Sequence, residues 1–432
     1  MSEHSSADSH QPSPANSHLQ IQALPYLLAI RDHLKTEHVE LWNWFKLSKT
    51  QDQYAEEIRF QLLKSTYRID HETEAGLYQR ANSIASQIGL AEIPITIYQA
   101  QNPAGINATI CSMRNEAHIV FHGPITEQFD NSEVDSILAH ELGHLLLWRE
   151  WGQEFLVTEL ILAALTNDVQ ATPVHFETAR LFQLFVEVFC DRVALACVDD
   201  RLQVISTLVK ISTDLKKVNP KSYLKQAREV MSQKTVASDG ITHPETFIRA
   251  LAVDQWANAV TDAQRAAADD QINQHLRGSL SLTTDLLGQQ TLQTMTRQLI
   301  DEMLRPKWMQ SELNLAHASS FFDNYAPPSD DPSAPSSTLD LFGQLEKENV
   351  RKYFAYLMLD FVAADRDLEL APLAWAMVVA ETIGLRDLLI EIARKELRLR
   401  KKQIEKIESQ REQIINDAQE QFERTTADTN TG

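Results

Sequence analysis

Apolar positions recur at helical spacing over most of this chain. From Leu19 to about Ile88, stretches such as Tyr26–Leu34 and Tyr54–Leu63 carry apolar residues three and four apart, and Gly89 is a natural stop. The pattern then changes. Ile93–Tyr98 (IPITIY) is β-branched and aromatic and predicts a strand, with a turn at Asn102–Gly105. Two further short strands are expected at Asn107–Cys111 and His118–His122, joined by the polar turn Met113–Glu116, which together predict a small antiparallel sheet. The strongest helix runs from Ser132 to Trp148. Val134, Ile137, Leu138, Leu142 and Leu145 form its apolar stripe, Ser132 is the expected N-cap, and Asp135 lies three residues on as in a capping box. Another helix is expected over Thr178–Val198, and helices continue to about Ser319 with breaks near Thr172-Pro173, Asn219-Pro220 and Asp239-Gly240.

The ends and one internal stretch lack this patterning. Residues 1–18 are mostly Ser, His, Pro, Asn and Asp and carry too little apolar surface to offset ordering entropy, so a disordered tail is expected there. Residues 326–338 (APPSDDPSAPSST) read as a Pro/Ser/Asp linker. Residues 339–424 read as helices, ending in a charged helix over Lys395–Glu423, and residues 425–432 as a second disordered tail. The expected organisation is a catalytic domain over 19–325, the linker, and a helical accessory domain over 339–424. The fold class is mainly α with a small antiparallel β-sheet (α+β).

Composition removes several function classes. The chain has 432 residues, with 40 Lys+Arg against 60 Asp+Glu and a net charge of −20, which argues against nucleic acid as a partner. Three cysteines in so long a chain exclude a disulfide scaffold and fit a reducing compartment. The longest apolar runs are interrupted, Phe155–Thr166 by Glu159 and Ala371–Ala380 by Glu381 directly after it, so no membrane span is expected. The N-terminus lacks the basic and apolar regions of a signal peptide, and the protein reads as soluble and cytoplasmic.

The chemistry-bearing segment is His140-Glu141-Leu142-Gly143-His144, inside the strongest helix. Residues i and i+4 share one helical face, so both imidazoles can hold one Zn²⁺, and Glu141 beside the first is placed to act as general base on a water. A third His six residues after the second would make a different zinc site, but position 150 is Glu150. In the helix over Thr178–Val198, Glu187 and Asp191 lie four apart amid Leu184, Phe185, Val186, Val188 and Phe189. An acid in so apolar a run needs a partner or a metal, which makes Glu187 the candidate third ligand and Asp191 the acceptor that orients a ligand imidazole. Cys190 points about 60° away from Glu187 on the helix and reads as a packed core thiol. His118 and His122 share one side of a strand, and His175 lies in an expected loop.

The order H-E-x-G-H followed some forty residues later by E-x-x-x-D resembles the gluzincin family of the CAAX prenyl protease, the heat-shock protease HtpX and the Oma-type quality-control proteases. Two more segments carry the likeness: Ile106-Asn107-Ala108-Thr109 with Ile119-Val120-Phe121 upstream, and Thr242-His243-Pro244 with Ile248-Arg249 downstream. The resemblance spans about residues 75–255. It implies a zincin-like catalytic domain with one zinc ion, endopeptidase activity on protein or peptide substrates, Asn107 and His243 near the substrate, and Arg249 anchoring a carboxylate such as Asp191. Ala250 follows Arg249 where that family carries Ile. Asp365, Asp367 and Glu369 suggest an acidic turn, and the pattern of an apolar helix, Ala363-Ala364-Asp365-Arg366-Asp367, then another helix is similar to TerB-like helical domains, a family associated with acidic metal-binding positions; a protein partner is expected to meet this C-terminal helical domain. The rival readings are a zinc-bearing interaction module without proteolysis and a helical adaptor that binds no metal.

Overall fold

The computed structural model describes residues 19, 21–47, 50–101, 105–113, 116–233, 237–327 and 337–430. The expected tail over 1–18, the turn at Asn102–Gly105 for the most part, and most of the 326–338 linker lie outside the described residues.

The chain divides into two compact units, with the main division between Gly278 and Ser279 and with Thr172–Thr178 grouped with the second unit. The first unit opens with helices α1 (Pro25–Glu37), α2 (Val39–Leu47) and α3 (Thr50–Ser65). A short strand β1 (Thr66–Arg68) follows, then α4 (Ala75–Gln87), β2 (Ile95–Ala100), β3 (Asn107–Met113) and β4 (Glu116–His122). Next come α5 (Ile125–Gln128), α6 (Asn131–Arg149), α7 (Glu154–Asn167), α8 (Pro173–Val198), α9 (Arg201–Thr213), α10 (Pro220–Gln233), α11 (Thr246–Asn258) and α12 (Asp262–Arg277). Three of these described helices begin at prolines, Pro25, Pro173 and Pro220, where the missing N–H has no cost because the first amides of a helix lack intrahelical acceptors.

The α+β class holds, but the sheet is mixed rather than antiparallel. Its order is β1-β2-β4-β3. β3 and β4 form the expected hairpin, pairing Asn107 with His122 and Ala108 with Phe121. The hairpin joins β2 through its second strand, so β4 runs parallel to β2, pairing Ile97 with Ile119. β1, which interrupts a stretch expected to be helical, completes the other edge antiparallel to β2. β4 is buried on both faces: Ile119 and Phe121 are fully buried on one, while Val120 packs with Tyr98 and Leu62 on the other. Among the described residues, the edge left unpaired on the hairpin side is β3.

Helix α6 lies at the centre of this unit, packed against α4, α7, α9, β3 and β4. Its cap differs from the expected one. Asp130, not Ser132, is the N-cap: its carboxylate accepts from the amides of Ser132 and Glu133, both at 3.0 Å, and Glu133 returns a bond from the Asp130 amide. The full-length Glu at N3 reaches the cap where the shorter Asp135 would not, and Asp135 instead pairs with Arg80. Asp130→Ala is expected to lower stability by about 1 kcal/mol in urea unfolding.

The second unit contains α13 (Leu286–Met303), α14 (Glu312–Phe321), α15 (Glu348–Ala364), α16 (Ala371–Thr382), α17 (Arg386–Glu396) and α18 (Lys401–Asn430). Its core joins Leu299, Met303 and Trp308 to Phe354, Phe361, Leu373 and Ile404. Residues 279–325 therefore belong with this unit, not with the catalytic domain expected to reach 325, because the apolar faces of α13 and α14 are buried in its core. The charged helix expected over Lys395–Glu423 is broken: α17 ends at Glu396, Arg398 adopts φ 53°, and α18 then runs to Asn430, past the expected end at 424. Between α15 and α16 the Asp365 side chain acts as a cap, accepting from the Asp367 amide at 3.0 Å.

Candidate metal centre

Helical spacing builds the centre from two helices. On α6, His140 and His144 lie one turn apart on one face, and Trp148 extends that face by another turn, its ring 5.8 Å from that of His144. On α8, Glu187 and Asp191 repeat the spacing. Gly143 sits on the α6 face toward α8. A Cβ there would come 3.1 Å from the Cys190 Cα and 3.2 Å from the Val193 Cβ, so the missing side chain lets the two helices approach. Gly143→Val is expected to cost about 1–3 kcal/mol through overpacking and to weaken metal binding, read by urea unfolding and metal titration.

This approach brings the two Nε2 atoms to one carboxylate. His140 Nε2 lies 3.4 Å from Glu187 Oε2, and His144 Nε2 lies 3.5 Å from Glu187 Oε1. The other side of His140 is fixed by Asp191, with Nδ1 3.0 Å from Oδ1. Arg249, from α11, donates to both Asp191 oxygens at 2.8 and 2.7 Å and lies 3.3 Å from Glu187 Oε2. Glu141 is buried beside this group.

The charges follow from burial and pairing. Burial disfavours the His140 cation, but the hydrogen bond to Asp191 and the contact with Glu187 outweigh it and carry the imidazole up to about 10. Burial takes His144 down to about 4. Burial also acts against the Glu187 and Asp191 carboxylates, yet His140 and Arg249 hold both below the usual carboxylate range. Glu141 has no such partner, and burial pushes it up to about 7 against the opposing pull of His140.

These residues fit a divalent cation. Glu187 Oε2 is buried and has no hydrogen-bond partner among the described residues, although two imidazoles and a guanidinium surround it. A buried polar atom left in this way calls for an ion or water. A proton on His140 and a metal ion are alternative means of giving that carboxylate a positive neighbour. A second donor set also exists, since ligand atoms of His140, His144 and Cys190 lie within 4.8 Å of one another. The Cys190 thiol is fully buried and pushed well above its ordinary value by that burial, so the thiolate a metal requires is costly there. Glu187, already ionised, is the better third donor.

Asn107 and His243 both line the same cavity, of about 490 Å³, together with Glu141, Glu187 and Arg249. His243 is half-exposed, its Nε2 3.6 Å from Glu187 Oε2 and its Nδ1 2.9 Å from the Thr242 hydroxyl. The loop that carries it is tied by Arg180, which donates to the carbonyls of Ser238 and Gly240 at 3.2 and 2.7 Å. Any Cβ at Gly240 would collide with the His243 carbonyl. The centre does not include His118 or His122: His118 Nδ1 lies 3.0 Å from the Tyr98 hydroxyl, and His122 Nε2 lies 3.2 Å from the Thr109 hydroxyl. His175 bonds locally to Thr172.

Several cavity residues carried no motif. Val204, Thr207, Leu208 and Ile211 form one face of α9, and Ala194 continues the Glu187–Asp191 stripe on α8. Trp148 and Gln183 are joined by the half-buried Glu159, which accepts from Trp148 Nε1 at 2.6 Å and from Gln183 at 3.1 Å. Trp148 was signalled by the i, i+4, i+8 spacing from His140; the α9 face had no signal beyond ordinary amphipathicity.

Part of the chain is similar to known proteins. The chain is 24% identical over 193 residues to the plastoglobule-localized metallopeptidase 48, chloroplastic, of Arabidopsis thaliana, covering 41% of this chain and 55% of that protein. The chain thus spans about half the length of that curated relative. No solved structure matches. The model of Peptidase family M48 matches residues 71–257, a span that contains β2 to β4, both helices of the centre, and Arg249. With the paired histidines, the facing carboxylate and the family match all in that one span, residues 71–257 constitute a Peptidase family M48 domain.

Proposed function

We propose that this domain is a zinc-dependent endopeptidase that hydrolyses internal peptide bonds of protein substrates. The observation that carries the reading is Glu141, a buried carboxylate without an ion-pair partner among the described residues, in the same cavity as the His140–His144–Glu187 cluster. A pure zinc-binding scaffold has no use for it.

One Zn²⁺ would be held by His140, His144 and Glu187, leaving a position open. Bound there, the ion supplies Lewis acidity that polarises a carbonyl and eases ionisation of water near neutral pH. The chain's own residues supply the rest. Asp191, held by Arg249, keeps His140 in the tautomer that presents Nε2 to the cluster. The open edge of β3 can pair with an extended substrate backbone and lay it along the cavity. Glu141 takes the proton as the water oxygen bonds to the carbonyl carbon, and returns it to the amine nitrogen as the C–N bond breaks. Asn107 and His243 donate to the oxygen that gains negative charge, each contact contributing about 3 kcal/mol to the barrier reduction.

Purified protein is expected to contain one zinc per chain and to cleave casein. Chelation should abolish cleavage and added zinc restore it. Stoichiometric zinc with no cleavage of any protein or peptide would instead assign the domain to metal-dependent binding. Absence of both would remove the metal reading.

A further inference from the structure

The chain carries −20 overall, yet residues 215–228 hold five cations, Lys216, Lys217, Lys221, Lys225 and Arg228, and no Asp or Glu. With the flanking Asp214 and Glu229 included, bases still outnumber acids by five to two. Such a run sets a positive local field against the charge of the whole.

The fold keeps these cations close together. α9 ends at Thr213 and α10 begins at Pro220, so residues 214–219 alone join the two helices. Asn219 caps α10, its side chain accepting from the Ser222 amide at 3.1 Å. Lys221, Lys225 and Arg228 recur at i, i+4 and i+7 along one face, while Leu224 and Ala227 are buried where α10 packs against α9 and α11. Arg228 pairs with Asp254 at 2.6 Å, and Arg201 shares that carboxylate. The four lysines are exposed, and among the described residues none has an ion-pair partner.

This surface borders the cavity. Ile211 and Ser212 at the end of α9 and Thr246 at the start of α11 line it. Asp214 accepts from the Ile106 amide at 3.4 Å, which ties the α9–α10 connection to the entry of β3. The half-buried Tyr223 of α10 lies against Thr246. A backbone paired with the β3 edge and continuing past Ile106 therefore meets the connection that carries Lys216 and Lys217. A lipid surface suits this region poorly, because Leu215 and Val230 are its only exposed large apolar side chains over 214–233. Carboxylates on a polypeptide match it, since they meet unpaired ammonium groups in solvent and need no apolar anchor.

We propose that Lys216, Lys217, Lys221 and Lys225 form a docking surface, beside the mouth of the cavity, for an acidic stretch of the protein substrate away from the bond that is cut. The proposal rests on the peptidase reading and adds a substrate class to it.

The test uses the full chain and fluorogenic peptides that share one cleavable core taken from casein. They differ only in a neutral, an Asp/Glu or a Lys tail, placed at either end. At one end the acidic tail should lower KM by at least about tenfold relative to the neutral tail, with kcat little changed, and added salt should erase the gain. Lys216→Glu/Lys217→Glu and Lys221→Glu/Lys225→Glu should each lose most of it while keeping the parent's thermal melt and its rate on the neutral peptide. Fluorescence anisotropy of a labelled oligoglutamate reads docking without cleavage. Salt-sensitive oligoglutamate binding that the variants lose, in a chain that cleaves nothing, would sink the peptidase reading and keep the site for acidic segments. Equal KM for acidic and neutral tails, or a gain that both double variants retain, would overturn the proposal. So would lysine-dependent binding of phosphatidylglycerol vesicles or single-stranded DNA in place of the acidic peptide.

Discussion

Replacing Glu141 by Gln will lower peptide cleavage by about 10²–10⁴-fold while leaving zinc content unchanged. The amide keeps the volume and planar shape of the carboxyl group, so the buried position on α6 is refilled without a cavity. What it loses is the ability to accept and return a proton. Zinc content is unaffected because Glu141 lies outside the His140–His144–Glu187 contacts and makes none of the hydrogen bonds that orient them. Neither does the substitution expose an unpaired charge: burial already raises the Glu141 carboxyl to about 7, and its neutral replacement is tolerated at least as well. The measurements are metal analysis and initial rates on one peptide substrate. Equal rates for the two proteins would reject Glu141 as the base, and loss of zinc would show that it acts on the ligands instead.

Much of this centre follows from local rules that a sequence displays. The i, i+4 spacing places His140 and His144 on one face in any regular helix, and the same rule pairs Glu187 with Asp191. That the two pairs meet is a tertiary fact. Its trace is energetic: acids amid Phe185, Val186, Val188 and Phe189 are stable only beside a cation, and Arg249 and His140 supply it. Elements fixed by distant pairing left no comparable trace. β1 is three residues long and is a strand only because β2 offers it an edge, so its own residues continue the preceding helical pattern. The parallel alignment of β2 with β4 depends on which strand of the hairpin docks, and both strands are apolar enough to do so. The break between α17 and α18 has no Gly or Pro; Arg398 takes a left-handed conformation that packing imposes against its preference. The α9 face of the cavity is apolar like any core face, and nothing in its composition distinguishes residues lining a cleft from residues filling a core.

Glu187→Ala will abolish stoichiometric zinc binding, with an affinity loss greater than the ~10–100-fold typical of residues that only orient a ligand. Both Nε2 atoms face this carboxylate, so its removal leaves two imidazole donors and no third group with an ionised oxygen between them. The loss will not be a consequence of unfolding. Breaking a buried ion pair costs about 3–5 kcal/mol when a charge is left alone, but here Asp191 remains against both His140 and Arg249, so the metal-free variant should lose less than that. Urea unfolding of the metal-free proteins measures the difference, and metal titration measures the affinity. The parent should gain stability on adding zinc, because an ion that binds only the folded chain shifts the equilibrium toward it, whereas the variant should not. If the variant keeps its zinc and Cys190→Ser loses it, the ion sits in the His140–His144–Cys190 set and Glu187 serves only to balance charge. That outcome would leave the buried Glu187 Oε2 without a ligand to explain it, which is the reason the carboxylate is favoured over the thiol.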